Sequence, residues 1–177
     1  MYWVGHIATL VSIFAIFAAL IIAYLVRSTN PDQWRPIALP GQLWFSTALL
    51  AACSLAIEMA RRALRLYSVH AYSVWLVRTA WLAGFFLVSQ VLCWRIMAAS
   101  IPAGDQNGGL FYILTGSHAV HILGGIAVLG YLLYRLARPW AIDVEVRREA
   151  ITFMLATYWH FMLLIWLAIY GVFALRS

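Results

Sequence analysis

Lysine is absent from this chain of 177 residues, and all charged residues together make up only 10% of it. Soluble domains are roughly one quarter charged, so the scarcity of charge excludes an ordinary water-soluble fold. Hydrophobic residues account for 65% of the sequence, and the mean hydropathy is +0.87. We therefore predict that the chain resides in a membrane.

Cysteine is also scarce, which limits the chemistry open to the chain. Cys53 and Cys93 each lie within an apolar segment, and two isolated cysteines argue against a disulfide framework and against a zinc site.

All 12 basic residues are arginines, and the net charge is +6. No basic groove lined with aromatic residues accompanies them, so we expect the arginines to contact anionic lipid headgroups and not nucleic acid.

Five apolar segments are long enough to cross a bilayer, which requires about 20 residues each. We predict helices at about 4–26, 42–60, 74–97, 110–133 and 150–174. The expected fold class is all-α, an integral membrane bundle of five transmembrane helices that forms one domain over residues 1–177. Every proline falls between these segments, so we expect continuous helices, unlike the interrupted helices of many transporters. The prolines are Pro31, Pro36, Pro40, Pro102 and Pro139.

The arginines predict an orientation, because cytoplasmic loops carry an excess of positive charge. Eight of the 12 lie in the second and fourth connections or their flanks. We therefore expect the N-terminus in the cytoplasm and the C-terminus in the periplasm. These eight are Arg61, Arg62, Arg65, Arg78, Arg135, Arg138, Arg147 and Arg148.

Histidines are the most unusual residues in the apolar segments. His118 and His121 are three residues apart, on one face of the fourth helix, and His121 and His160 are both predicted near the bilayer midplane. The three histidines could hydrogen bond helix to helix, His121 and His160 could hold a haem b, or all three could bind a metal that would lack a fourth ligand. Before any family is considered, we favour the first interpretation. Small residues would allow close contacts between helices; the candidate positions are Ser46 and Ala51 in the second helix and Gly124 and Gly125 in the fourth.

Two further polar groups lie within the predicted helices. Glu58 is the only acidic residue in a predicted span, and Arg61 and Arg62 follow at the spacing that allows ion pairs on a helix surface. We interpret the three as an ion pair at the membrane interface, with a proton antenna or a subunit contact as alternatives. Gln90 is expected to form a hydrogen bond between helices.

The fourth segment, LFYILTGSHAVHILGGIAVLGYLLYRL, and the fifth, TYWHFMLLIWLAIY, resemble the last two helices of subunit III of the haem-copper oxidases. The segments IIAYLVR, LWFSTALLAACSLAIEMARRAL and GFFLVSQVLCWRIMAASI follow the order and spacing of the short, five-helix members of that family. The resemblance covers essentially the whole chain. Its most specific part is the combination of His118 and His121 with the YWHF sequence that contains His160.

The resemblance implies a non-catalytic subunit III of a terminal respiratory oxidase, in the cytoplasmic (inner) membrane of a bacterium. Such a subunit would stabilise the catalytic subunit and support electron transport and proton pumping. It implies no catalytic residue, cofactor or metal in this chain, with haem and copper in catalytic subunit I and with phospholipids as candidate ligands. It assigns His118, His121 and His160 to helix packing. With the positions predicted above, the expected helix-packing residues are His118, His121, His160, Trp159, Gln90, Gly124 and Gly125.

Several carboxylates common in the family are missing. In the first helix Ile13 follows Ser12 where the family commonly has a glutamate, in the third Cys93 precedes Trp94 in place of a frequent glutamate, and in the fifth Leu163 replaces a frequent aspartate. Each loss removes an ionisable group from the bilayer, where a buried charge costs about 2.5 kcal/mol or more. Because of these differences from the family, an accessory subunit of a nitric oxide reductase is an alternative function for the chain. A haem b cytochrome that uses His121 and His160 is the alternative from a different class.

Overall fold

A computed structural model describes residues 2–30, 34, 39–100, 106–137 and 145–176. Five α-helices account for nearly all of these residues, and each is long and apolar enough to cross a membrane. The prediction of an all-α chain with five apolar helices of spanning length is thereby confirmed. The helices are α1 (Tyr2–Ser28), α2 (Gln42–Arg65), α3 (Val69–Ser100), α4 (Gln106–Leu136) and α5 (Glu145–Arg176).

The helices extend beyond the apolar segments, and this corrects the predicted bounds. The α2 helix continues to Arg65, so Arg61 and Arg62 lie on its last turns and not in a connection. The α3 helix begins at Val69, five residues before the predicted start. Helical hydrogen bonds continue through the interfacial layer, where long arginine side chains carry their charge toward water.

Pro40 is the one proline among the described residues, and it lies just before α2. Its carbonyl accepts a hydrogen bond from the Leu43 amide at 3.1 Å, so the chain enters α2 in a tight turn. The other four prolines and Arg138 lie outside the described residues.

A very short turn joins α2 to α3 and forces the two helices to run antiparallel. The Tyr67 amide donates to the Leu64 carbonyl at 3.0 Å, and the Ser68 amide donates to the Ala63 carbonyl at 3.0 Å. This pair of bonds defines a Schellman motif, whose left-handed residue is usually glycine. Here Tyr67 takes that place with φ of 55°.

The α1 helix is less buried in the bundle than the other four helices. Among the described residues, Cα atoms of α1 come within 8 Å of α4 and α5 and of no other helix, whereas those of α5 come within 8 Å of α1, α2 and α4. Only 17% of the most apolar part of α1 is buried in the bundle, compared with 50% for α2. The α2 helix is therefore the most buried of the five described helices, and α1 lies at the edge of the bundle.

Hydroxyl groups connect the helices at several levels. Ser46 and Ser89 are hydrogen bonded at 2.8 Å between α2 and α3, and Tyr72 and Thr152 at 2.7 Å between α3 and α5. Such bonds between membrane helices contribute about 0.6–2 kcal/mol each. Ser46 and Ala51 are both predicted close-contact positions. The Ser46 side chain is fully buried, whereas Ala51 is half-buried.

Candidate functional site

The most polar part of the described bundle lies between α2 and α5. Ser54, Glu58 and Arg61 follow one face of α2 because they are spaced by four and three residues. His160 of α5 faces them. Its Nδ1 atom is hydrogen bonded to Ser54 Oγ, and its Nε2 atom lies 3.8 Å from Glu58 Oε2. We call these four residues the His160 site.

Arginines of α2 balance the carboxylate of Glu58. Arg61 Nη2 donates a hydrogen bond to Glu58 Oε1 at 3.0 Å, and Arg62 Nε lies 3.7 Å from the same oxygen. The Arg61 guanidinium also stacks on the Phe153 ring of α5, at 5.2 Å from the centroid. Glu58 is 21% exposed, so these contacts offset the cost of placing a carboxylate near hydrocarbon.

The antiparallel register of α2 and α5 brings Glu58 to His160. Arg65 pairs with Glu149 at 3.8 Å, and Trp166 Nε1 donates to Thr47 Oγ1 at 2.9 Å. Moving toward the N-terminus of α2 therefore corresponds to moving toward the C-terminus of α5. The sequence predicts separate roles for Glu58 and His160 and does not predict this contact. Spacing along the chain gave no signal for it, because no local rule specifies which helices become neighbours.

His118 has quite different surroundings. Its side chain is fully buried, and the rings of Phe17, Phe86 and Trp166 lie 6.0, 5.7 and 5.2 Å away, centroid to centroid. These three rings and His118 form what we call the His118 cage. The sequence predicts a hydrogen bond from His118 to another helix. In the structure, neither ring nitrogen has a hydrogen-bond partner among the described residues. Aromatic contacts with α1, α3 and α5 take its place.

The side chain of His121 forms a hydrogen bond within its own helix, α4. Its Nδ1–H donates to the Ser117 carbonyl at 2.7 Å, so the expected side-chain bond to another helix is replaced by one within α4. The link to α5 comes from the backbone, because Tyr158 Oη donates to the His121 carbonyl at 2.6 Å. His160 directs both nitrogens toward α2, so its geometry does not fit an iron shared with His121. Among the described residues, no group of three or more metal-ligating side chains comes together.

The two glycines proposed as close-contact positions differ in their surroundings. A Cβ atom on Gly125 would lie 3.1 Å from the Trp159 ring and 3.1 Å from the Tyr158 ring. At Gly124 the nearest atom would be Tyr158 Oη at 3.8 Å, an ordinary contact. Gly125 therefore allows α4 to approach α5 closely, against a Trp159 that is fully buried.

Gln90 does not form the expected hydrogen bond with another helix. Its side chain is buried, and neither amide atom has a partner within the described part of the chain. Polar contacts between α3 and α4 are made instead at Trp94, whose Nε1 donates to Thr115 Oγ1 at 2.9 Å and whose carbonyl accepts a hydrogen bond from Tyr112 Oη at 3.2 Å.

Comparison with known proteins connects these helices to one family. The model of the family described as "Cytochrome c oxidase subunit III" matches residues 2–175. A "Cytochrome c oxidase subunit 3" of Thermostichus vulcanus is 25% identical over 169 residues, which cover 94% of this chain and 83% of that protein. A "Probable cytochrome c oxidase subunit 3" of Mycobacterium tuberculosis is 27% identical over 179 residues, covering 97% and 86%. A protein of the same description from Nocardia farcinica is 26% identical over 177 residues, with the same coverage.

Proposed function

Because the chain belongs to the cytochrome c oxidase subunit III family, we propose that it packs beside the catalytic subunit I of a terminal oxidase and stabilises it. The chain is a subunit III of a haem-copper oxidase, a non-catalytic subunit of an oxidoreductase complex of the respiratory chain. The family match over residues 2–175 carries this proposal. It does not favour a nitric oxide reductase subunit or a haem b cytochrome.

Haem, copper and oxygen chemistry belong, in this proposal, to subunit I. The polar groups of the chain serve contacts between its own helices: His160 with Ser54, Ser46 with Ser89 and Tyr72 with Thr152. A bundle connected in this way is suited to present a rigid apolar surface to a neighbouring subunit. We assign His118, His121, His160 and Trp159 to that structural role.

We propose that the chain lies in a bacterial cytoplasmic membrane with its N-terminus inside and its C-terminus in the periplasm. Arg62 and Arg65 end α2, and Arg65 pairs with Glu149 near the start of α5. The arginines of these neighbouring ends therefore lie at one end of the bundle, as the positive-inside rule requires of the cytoplasmic side. Fusion of an alkaline phosphatase to the C-terminus should give an active enzyme, and a cytoplasmic C-terminus would give an inactive one.

Phospholipids are the proposed small-molecule partners. A groove of about 390 Å³ runs between α1 and α5 and is lined mainly by apolar side chains. Phe14, Ile22 and Leu164 in its walls are more than half exposed, which suits contact with acyl chains.

Affinity purification in mild detergent tests the proposed assembly. A tag on this chain should recover a larger subunit that contains haem and copper, and the haem spectrum should belong to that subunit. His160→Leu should reduce the amount of the chain recovered with the complex, because the contacts to Ser54 and Glu58 are lost, and should leave the haem spectrum unchanged. A Soret band in the chain purified alone would contradict the proposal.

A further inference from the structure

Gln90 and His118 stand out among the buried polar side chains of the described bundle. Gln90 is 1% exposed and His118 is 0% exposed. Both amide atoms of Gln90 and both ring nitrogens of His118 lack a hydrogen-bond partner among the described residues. Buried polar groups are nearly always paired with protein or with ordered water, and the requirement is stricter in hydrocarbon.

Two contacts between α3 and α4 bracket the level of Gln90 along the bundle. Trp94 donates to Thr115 at 2.9 Å, and the Phe86 ring lies 5.7 Å from the His118 ring. Gln90 lies one helical turn from each of these α3 residues and shares their face. It therefore faces the part of α4 that runs from Thr115 to His118.

The two side chains also have complementary chemistry. A primary amide offers two N–H donors and a carbonyl acceptor, and a neutral imidazole offers one donor and one acceptor. A water molecule can donate to the amide oxygen or the bare ring nitrogen, and it can accept from either N–H group. Water that bridges buried polar groups is an ordinary structural component of proteins.

We propose that Gln90 and His118 together bind one buried water molecule, which links α3 to α4 behind the His118 cage. The site is confined to this chain and holds whether or not the proposed oxidase assembly is correct. Phe17, Phe86 and Trp166 surround the histidine ring, so the site suits a molecule as small as water and excludes a porphyrin.

Solid-state NMR of the full chain in lipid bilayers tests the proposal. With the five histidines labelled with ¹⁵N, magnetisation should pass from water protons to the His118 imidazole. The His118 signal is identified by its loss in His118→Gln. Absence of any transfer to His118 in the unmodified chain would overturn the proposal, as would a scalar coupling that shows a direct bond between the imidazole and the Gln90 amide.

Removal of the second partner distinguishes a shared water from a water bound by His118 alone. Gln90→Met keeps the side-chain length but removes the amide, and the transfer to His118 should then be lost. Cys93→Ala is the matched control, because Cys93 is also buried on α3 and its replacement should leave the transfer unchanged. Transfer that persists in Gln90→Met, or disappears equally in Cys93→Ala, would show that Gln90 does not hold the water.

Discussion

His160 and His118 lie in the same helical bundle but in opposite kinds of surroundings. The His160 side chain is 45% exposed, and its nitrogens face a serine and a carboxylate of α2. His118 is enclosed by three aromatic rings and has no polar partner among the described residues. A histidine in a membrane helix can therefore pair both nitrogens with side chains of the next helix at one position and pack its ring among aromatic side chains at another. Neighbouring helices decide which.

The largest loss of stability is expected when the imidazole is removed from the His118 cage. His118→Ala should lower the free energy of unfolding by about 3–5 kcal/mol, as for a buried aromatic side chain, because a cavity opens among Phe17, Phe86 and Trp166. The midpoint of thermal unfolding in detergent measures the effect. His118→Phe is the control, since it keeps a ring of similar size and should cost much less. Equal losses in the two variants would show that the ring nitrogens, and not the ring, stabilise the bundle.

The second test concerns the spacing between α4 and α5, which affects both sites. Gly125→Ala should cost about 1–3 kcal/mol through overpacking, because the new methyl group would lie 3.1 Å from the Trp159 and Tyr158 rings. Thermal unfolding measures the loss. Gly124→Ala is the matched control, with its nearest contact at 3.8 Å, and it should be nearly neutral. If Gly124→Ala were the more harmful change, the proposed close approach at Gly125 would be incorrect.

A smaller effect is expected at the His160 site. Glu58→Gln keeps the side-chain volume but removes the charge that balances Arg61, and we expect a loss of about 1 kcal/mol. The control is Glu149→Gln, which affects a pair whose side chains are both more than half exposed and should cost less than about 0.5 kcal/mol. Urea unfolding in mixed micelles gives both values. An effect at Glu149 as large as that at Glu58 would contradict the special role assigned to the His160 site.

The smallest predicted effect lies outside both sites and serves as a reference. Tyr67 has φ of 55° in the turn between α2 and α3, a conformation that costs a non-glycine residue about 1–2 kcal/mol. Tyr67→Gly removes that cost but adds backbone entropy to the unfolded chain. The net gain should be about 0.5 kcal/mol, measured by thermal unfolding. A loss of stability would show that the tyrosine side chain stabilises the turn.

The sequence predicted the helices well and their ends poorly. Hydropathy located all five spans, but α2 and α3 extend beyond the apolar residues to Arg65 and Val69. Charged residues near a helix end lower the hydropathy without interrupting the backbone hydrogen bonds. The Schellman turn was also not predicted, because Tyr67 occupies the position where a glycine would have been the signal.

The candidate site was predicted only in its parts. Helical spacing, which is a local property, predicts that Glu58, Arg61 and Arg62 are neighbours, and in the structure the two arginines lie 3.0 and 3.7 Å from the Glu58 carboxylate. Their contact with His160 is not local, since 102 residues separate Glu58 from His160 in the sequence. The expected polar partners of Gln90 and His118 were not found in the described structure for the same reason: a face of a helix can be predicted, but the side chains opposite it cannot.

Hydropathy along the chain is sufficient to predict five membrane-spanning helices, and the order of its motifs is sufficient for the resemblance to subunit III of the haem-copper oxidases. The length of an apolar segment and the order of the motifs are properties of the sequence alone, and they do not depend on which helices pack against each other. The contacts of His160 with Ser54 and Glu58, the aromatic rings around His118 and the close packing of Gly125 on Trp159 are known only from the folded structure. Those contacts depend on the register between helices, which many weak side-chain interactions set together and no short segment specifies alone.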